Sequence, residues 1–156
     1  MKYPVIGQIN QYFIRKGILP LQIDASTLLI SYEGEESSYT FIISFDSSSL
    51  ILSLCIRHYI RIPRLSSGLL QFLFSLNNAE FFPTLVFKNK DRWIELVYRM
   101  PLEQGIVIPE RQLEMLFENM ISAADAFYPL INERIWGKAI RPAERFGIDN
   151  SDGLLN

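Results

Sequence analysis

Tyr39-Thr40-Phe41-Ile42-Ile43-Ser44-Phe45, the polar turn Asp46-Ser47-Ser48-Ser49, and Leu50-Ile51-Leu52-Ser53-Leu54-Cys55-Ile56 read as two strands joined by a short connection. Side chains along a strand point alternately to opposite faces. Tyr39, Phe41, Ile43 and Phe45 therefore share one face, and Leu50, Leu52, Leu54 and Ile56 share one in the next strand. So short a turn leaves no room for a crossover helix, which makes the pair antiparallel. Upstream, Leu28, Ile30 and Tyr32 alternate as a preceding strand, broken by Glu33-Gly34-Glu35-Glu36-Ser37-Ser38. The middle of the chain is a three-strand meander.

Helical spacing flanks it. Pro4 suits a first turn, Val5, Ile9, Tyr12 and Phe13 follow at helical intervals, and Gly17 closes the helix. Beyond Pro63, Leu65, Leu69, Phe72, Leu73 and Leu76 form a second helical stripe. Leu70 and Phe74 lie to one side and widen it to an arc of about 200°, against about 100° for a helix covering one sheet. Loops over the excess, or a second contact surface such as a homodimer partner, both account for that width. Leu85 and Phe87 mark a short fourth strand, and Lys88-Asn89-Lys90-Asp91 a hairpin turn. In the fifth strand Ile94, Leu96, Tyr98 and Met100 share one face, while Trp93, Glu95, Val97 and Arg99 share the other.

Pro109 and Glu110 open a last helix, followed by Leu113, Leu116, Phe117, Met120, Ala124, Phe127 and Ile131; Pro129 is expected to kink or shorten it. The order αβββαββα predicts an α+β fold, a five-stranded antiparallel sheet with helices packed mainly on one face. It excludes the alternating βαβ pattern of nucleotide-binding sheets. Residues 1–137 read as one domain and residues 138–156 as an extended or disordered tail.

Composition narrows the function. With 156 residues, 49% of them hydrophobic, the chain is long enough to bury roughly 70% of its unfolded surface. A net charge of -2 with no block of Lys or Arg gives no phosphate-binding track, so no nucleic-acid partner is expected. A single Cys allows no internal disulfide and fits a reducing compartment. Apolar runs are too short for a membrane span and no signal peptide is evident, so the expected location is cytoplasmic.

No catalytic constellation emerges. Cys55 and His58, the only thiol and imidazole, are three residues apart, which on a regular strand sends them to opposite faces. A zinc site needs further Cys or His, and none remain. Glu35 and Glu36 fall in a turn, and Glu110, Glu114 and Glu118 on the solvent side of the last helix. Gly34, Gly68 and Gly105 are isolated, so no phosphate-cradling loop is present. No cofactor is implied.

Leu73-x-x-Leu76-Asn77, Tyr98-x-x-Pro101-Leu102, Pro109-x-x-x-Leu113 and Ala123-Ala124-Asp125-x-Phe127-Tyr128-Pro129 carry a likeness to a known family. With the element order, they make residues 1–131 resemble the YbjN-like bacterial family, whose fold is related to the type III secretion chaperones. The resemblance implies an αβββαββα domain, often dimeric, that binds polypeptide and has no known active site. The basic hairpin with Lys88, Lys90 and Arg92, and the segment after Gly137, lie outside the pattern.

The expected role is therefore a non-catalytic chaperone or assembly adaptor that captures a segment of a client protein. Trp93, Val97 and Ile42 on the open sheet face are the expected contacts, with Leu70 and Phe74 for self-association in a homodimer. A regulatory interaction module in a stress or signalling pathway, and an enzyme with a dispersed polar site, are the alternatives.

Overall fold

The computed structural model describes residues 3–78 and 83–137. The tail expected over 138–156 lies outside the described residues. Helix α1 (Pro4–Arg15) precedes strands β1 (Leu21–Asp24), β2 (Thr27–Glu33), β3 (Ser38–Asp46) and β4 (Ile51–Arg61). Helix α2 (Ser67–Asn78), β5 (Thr84–Lys88), β6 (Trp93–Pro101) and α3 (Glu110–Trp136) complete the order.

The sheet runs β1-β2-β3-β4-β6-β5 with antiparallel neighbours throughout. It has six strands, not the expected five. The additional strand is β1, four residues exposed at every position and paired only with Thr27, Leu28 and Leu29. A strand that buries nothing shows no apolar alternation, which is why its sequence reads as loop.

Register decides which face is covered. Leu28, Ile43 and Leu54 pair in one cross-strand row, and Ile30, Phe41, Ile56, Leu96 and Leu85 in the next; all are buried. Onto these rows α1 lays Ile6, Ile9 and Phe13, and α3 lays Leu113, Phe117, Met120 and Ala124. The Phe117 ring meets Phe13 and Phe41 edge-on, at centroid distances of 4.7 and 5.8 Å. Each such buried Leu, Ile, Phe or Met side chain stabilises the fold by about 1.5–3 kcal/mol.

Local chemistry sets the ends. Ser66 caps α2, its Oγ accepting the Leu69 N–H at 3.1 Å. Leu65, expected within that helix, therefore lies before it. At the far end Asn77 donates to the Leu85 carbonyl and accepts its N–H, at 2.9 and 2.7 Å, which ties α2 to β5. Pro129 does not end α3, which runs on to Trp136 and stops at Gly137 with φ 83°. Beyond the proline, fully buried Ile131 and the Asn132 amide donating to the Tyr128 carbonyl secure the last turns.

In β4 the pairing slips between Ile56 and Ile60, and His58 takes φ 52°. This bulge leaves Arg57 and His58 both exposed and Tyr59 and Ile60 both buried. On the buried side the Tyr59 hydroxyl donates to the Ala124 carbonyl.

Candidate functional site

With α1 and α3 on one face, alternate residues of the strands look outward on the other. Pairing places Leu21, Leu29, Ile42, Cys55, Val97 and Thr84 in a single row across all six strands. Five of these six side chains are apolar. Leu29, Ile42, Cys55 and Val97 are half-buried by their neighbours, and Leu21 is 58% exposed at the sheet edge. Polar rows flank it: Thr27, Ser44, Ser53 and Arg99 on one side, Ser31, Thr40 and Arg57 on the other.

The fold thus brings two of the expected contacts together. Ile42 and Val97 stand on either side of Cys55 in that row. Trp93 shares their face but belongs to a different row, Lys88–Trp93–Arg61, at one end of the sheet. Its ring lies against His58, centroids 4.8 Å apart and planes 30° apart. Leu70 and Phe74 are elsewhere, one turn apart on the outer side of α2. Phe74 is 65% exposed and Leu70 half-buried, while Leu69 and Leu73 point into the core.

The Cys55–His58 expectation needs correction. Cys55 sits in the Val97 row and His58 packs on Trp93, so the bulge puts both on the open face. His58 is engaged with the Trp93 ring rather than with the thiol. The Cys55 thiol donates instead to Glu95 at 3.5 Å. Burial and the Glu95 carboxylate push its pKa up to about 12, so the sulfur stays protonated at neutral pH. Among the described residues no group of three His, Cys, Asp or Glu is placed to hold a metal ion. None of the described helices is long and apolar enough to cross a membrane.

Two hollows escaped the sequence reading. A cleft of about 320 Å³ lies between the end of α1, β2 and α3. Tyr12, Phe13, Ile18 and Phe117 supply its apolar lining, with Lys16, Glu33 and Glu118 among the polar groups. Lys16 is engaged by Glu114 at 2.8 Å, and Glu33 accepts the Ser38 hydroxyl at 2.7 Å. Burial raises the Tyr12 pKa above the usual phenol value. A second hollow of about 500 Å³ is bounded by Phe72, Leu130, Glu133, Arg134 and Gly137. Lys16 and Glu118 are 102 positions apart in sequence, so no local motif announces the cleft.

The sequence matches no known family profile and no curated protein sequence. The structure is similar to a chain in the crystal structure of the ExsC-ExsE complex, with a TM-score of 0.62 and 18% identity. The match covers 83% of this chain and 96% of that one. At that identity the likeness establishes a shared fold.

Proposed function

We propose that this protein is a binding protein, a chaperone or assembly adaptor, that holds a segment of a client polypeptide against the open face of its sheet. The observation that carries this is the apolar row Leu21–Leu29–Ile42–Cys55–Val97, continuous over five neighbouring strands on the face away from α1 and α3. An extended segment laid across it buries alternate side chains against the row, with Ile42 and Val97 as its centre and Trp93 as an aromatic anchor at one end.

One structural likeness and one sequence resemblance support the reading. The fold is shared with a chain solved in a complex of two proteins. The YbjN-like resemblance, resting on Asn77, Asp125 and their neighbours, points to the same mode of action. In this proposal residues 1–137 form the working domain, in the cytoplasm, and Leu70 and Phe74 on α2 join two copies.

The test is binding of a peptide selected against the intact chain, for example from a displayed library. Val97→Glu and Ile42→Glu should abolish binding, and Trp93→Ala should weaken it by about tenfold or more while leaving the urea midpoint near wild type. Unfolding of Trp93→Ala would show Trp93 to be structural, and unchanged affinity in all three variants would move the site elsewhere. Recovery of signalling proteins, rather than secreted or structural ones, from the native cell would favour the regulatory module over the chaperone.

A further inference from the structure

The basic hairpin plays no part in the apolar reading, yet the fold gathers more cations around it. Arg57 and Arg61 of β4, Arg64 of the following loop, and Lys88, Lys90 and Arg92 of the β5–β6 hairpin lie at one end of the sheet, all exposed. Of these, Lys88, Arg57 and Arg61 stand on the open face by register, with Trp93 between Lys88 and Arg61 in one cross-strand row. Two carboxylates, Asp91 and Glu95, belong to the same region. Among the described residues only Lys88 has an ion pair there, with Glu95 at 4.0 Å. Arg92 is spent on the Pro63 carbonyl at 2.8 Å, which fixes the hairpin to the loop after β4.

A protein of net charge -2 thus keeps a net positive rim beside its apolar row, six cations against the carboxylates of Asp91 and Glu95. We propose that the rim selects the client: the open face takes a polypeptide segment with carboxylates next to its apolar residues, the carboxylates lying over Arg57, Arg61 and Lys88. This rests on the open face being the polypeptide site.

Three features favour an acidic polypeptide over a nucleic acid. The cations span three strands, about 10 Å at ordinary strand spacing, too short for a phosphate track. The surface then continues as an apolar row, which suits a chain carrying both kinds of side chain. Glu33, Glu35 and Glu36, in and after β2 at the same end of the sheet, repel a phosphate backbone extended that way.

The experiment uses the intact chain and short labelled peptides that share one set of apolar residues and carry Glu, Gln or Lys between them. A single-stranded oligonucleotide and vesicles of phosphatidylcholine with phosphatidylserine serve as competing polyanions. The Glu peptide should bind most tightly, and weaken about tenfold between about 50 and about 300 mM salt. The pair Arg57→Glu with Arg61→Glu should cost it about tenfold or more and improve binding of the Lys peptide. Lys88→Gln with Lys90→Gln, a milder pair, guards against misfolding and should weaken it less.

Equal binding of the Glu and Gln peptides, sensitive only to Val97→Glu, would overturn the charge selection and leave the apolar site standing. Binding of the Glu peptide indifferent to Val97→Glu and Ile42→Glu would do the reverse. Tighter binding of the oligonucleotide or the vesicles would overturn the choice of occupant, and binding of no peptide would overturn both readings.

Discussion

Asp125 receives three donors at once. The Tyr39 hydroxyl donates at 2.5 Å, and the Glu35 and Glu36 amides donate at 3.1 and 3.0 Å. The carboxylate thus fastens the β2–β3 turn to α3. Gly34 allows the approach: a Cβ there would stand 2.3 Å from the Tyr39 ring and 2.8 Å from an Asp125 oxygen. Asp125→Ala leaves the partly buried phenol and two amides without their acceptor. It should cost about 1–3 kcal/mol, read as a lower urea midpoint at an unchanged slope. Asp46 offers a pH test. It accepts from the Ser48 amide and hydroxyl, which hold its pKa at about 2, below the ordinary 3.8. A carboxyl with a depressed folded-state pKa contributes stability above its unfolded value and loses it as pH falls through the folded one. Wild type should therefore lose stability between about pH 4 and about pH 2 more steeply than Asp46→Asn, by thermal melting; parallel curves would contradict this. The Asp125 motif was visible as a string of residues. Its purpose was not, because its Tyr39 partner lies 86 positions away.

At the scale of elements, what the chain disclosed depended on burial. Strands β3, β4 and β6 alternate because each has one face in the core, and that parity put Ile42, Val97 and Trp93 on the open side. β1 buries nothing and stayed invisible. Parity also failed within the His58 bulge, where His58 turns outward and Tyr59 inward, while beyond it Ile60 and Arg61 return to the faces that alternation assigns. The row joining Leu29, Ile42, Cys55 and Val97 depends on register between strands, which no single strand encodes. Leu29 was the legible hint, an apolar residue between inward Leu28 and Ile30. Helix α2 carries its own test. Leu69 and Leu73 fill the core, so the excess width of its apolar arc is the outer pair Leu70 and Phe74. If that pair joins two copies, Phe74→Asp should shift sedimentation from dimer to monomer with little change in urea midpoint, because the side chain is 65% exposed. A wild-type chain that sediments as a monomer at every concentration would refute the contact.

Seen whole, the sheet divides the molecule into two surfaces of different chemistry. One is committed to α1 and α3 through buried aliphatic and aromatic side chains. The other carries the apolar row, the cationic rim around Trp93, and the acidic turn beyond it. Helices α1 and α3 cover the core side, which leaves the outward residues of the sheet uncovered by either. The competing location is the cleft beside Tyr12 and Phe117, on the helical side. Methyl and indole resonances separate the two directly. When the intact chain is titrated with the peptide carrying Glu between apolar residues, the methyl signals of Leu29, Ile42 and Val97 and the Trp93 indole N–H should shift together and saturate at one ratio. The buried methyls of Ile6, Ile9 and Ile43 should stay in place. Shifts concentrated at Ile18 and the aromatic rings of that cleft, with the open-face signals unmoved, would contradict the assignment of the sheet as the binding surface.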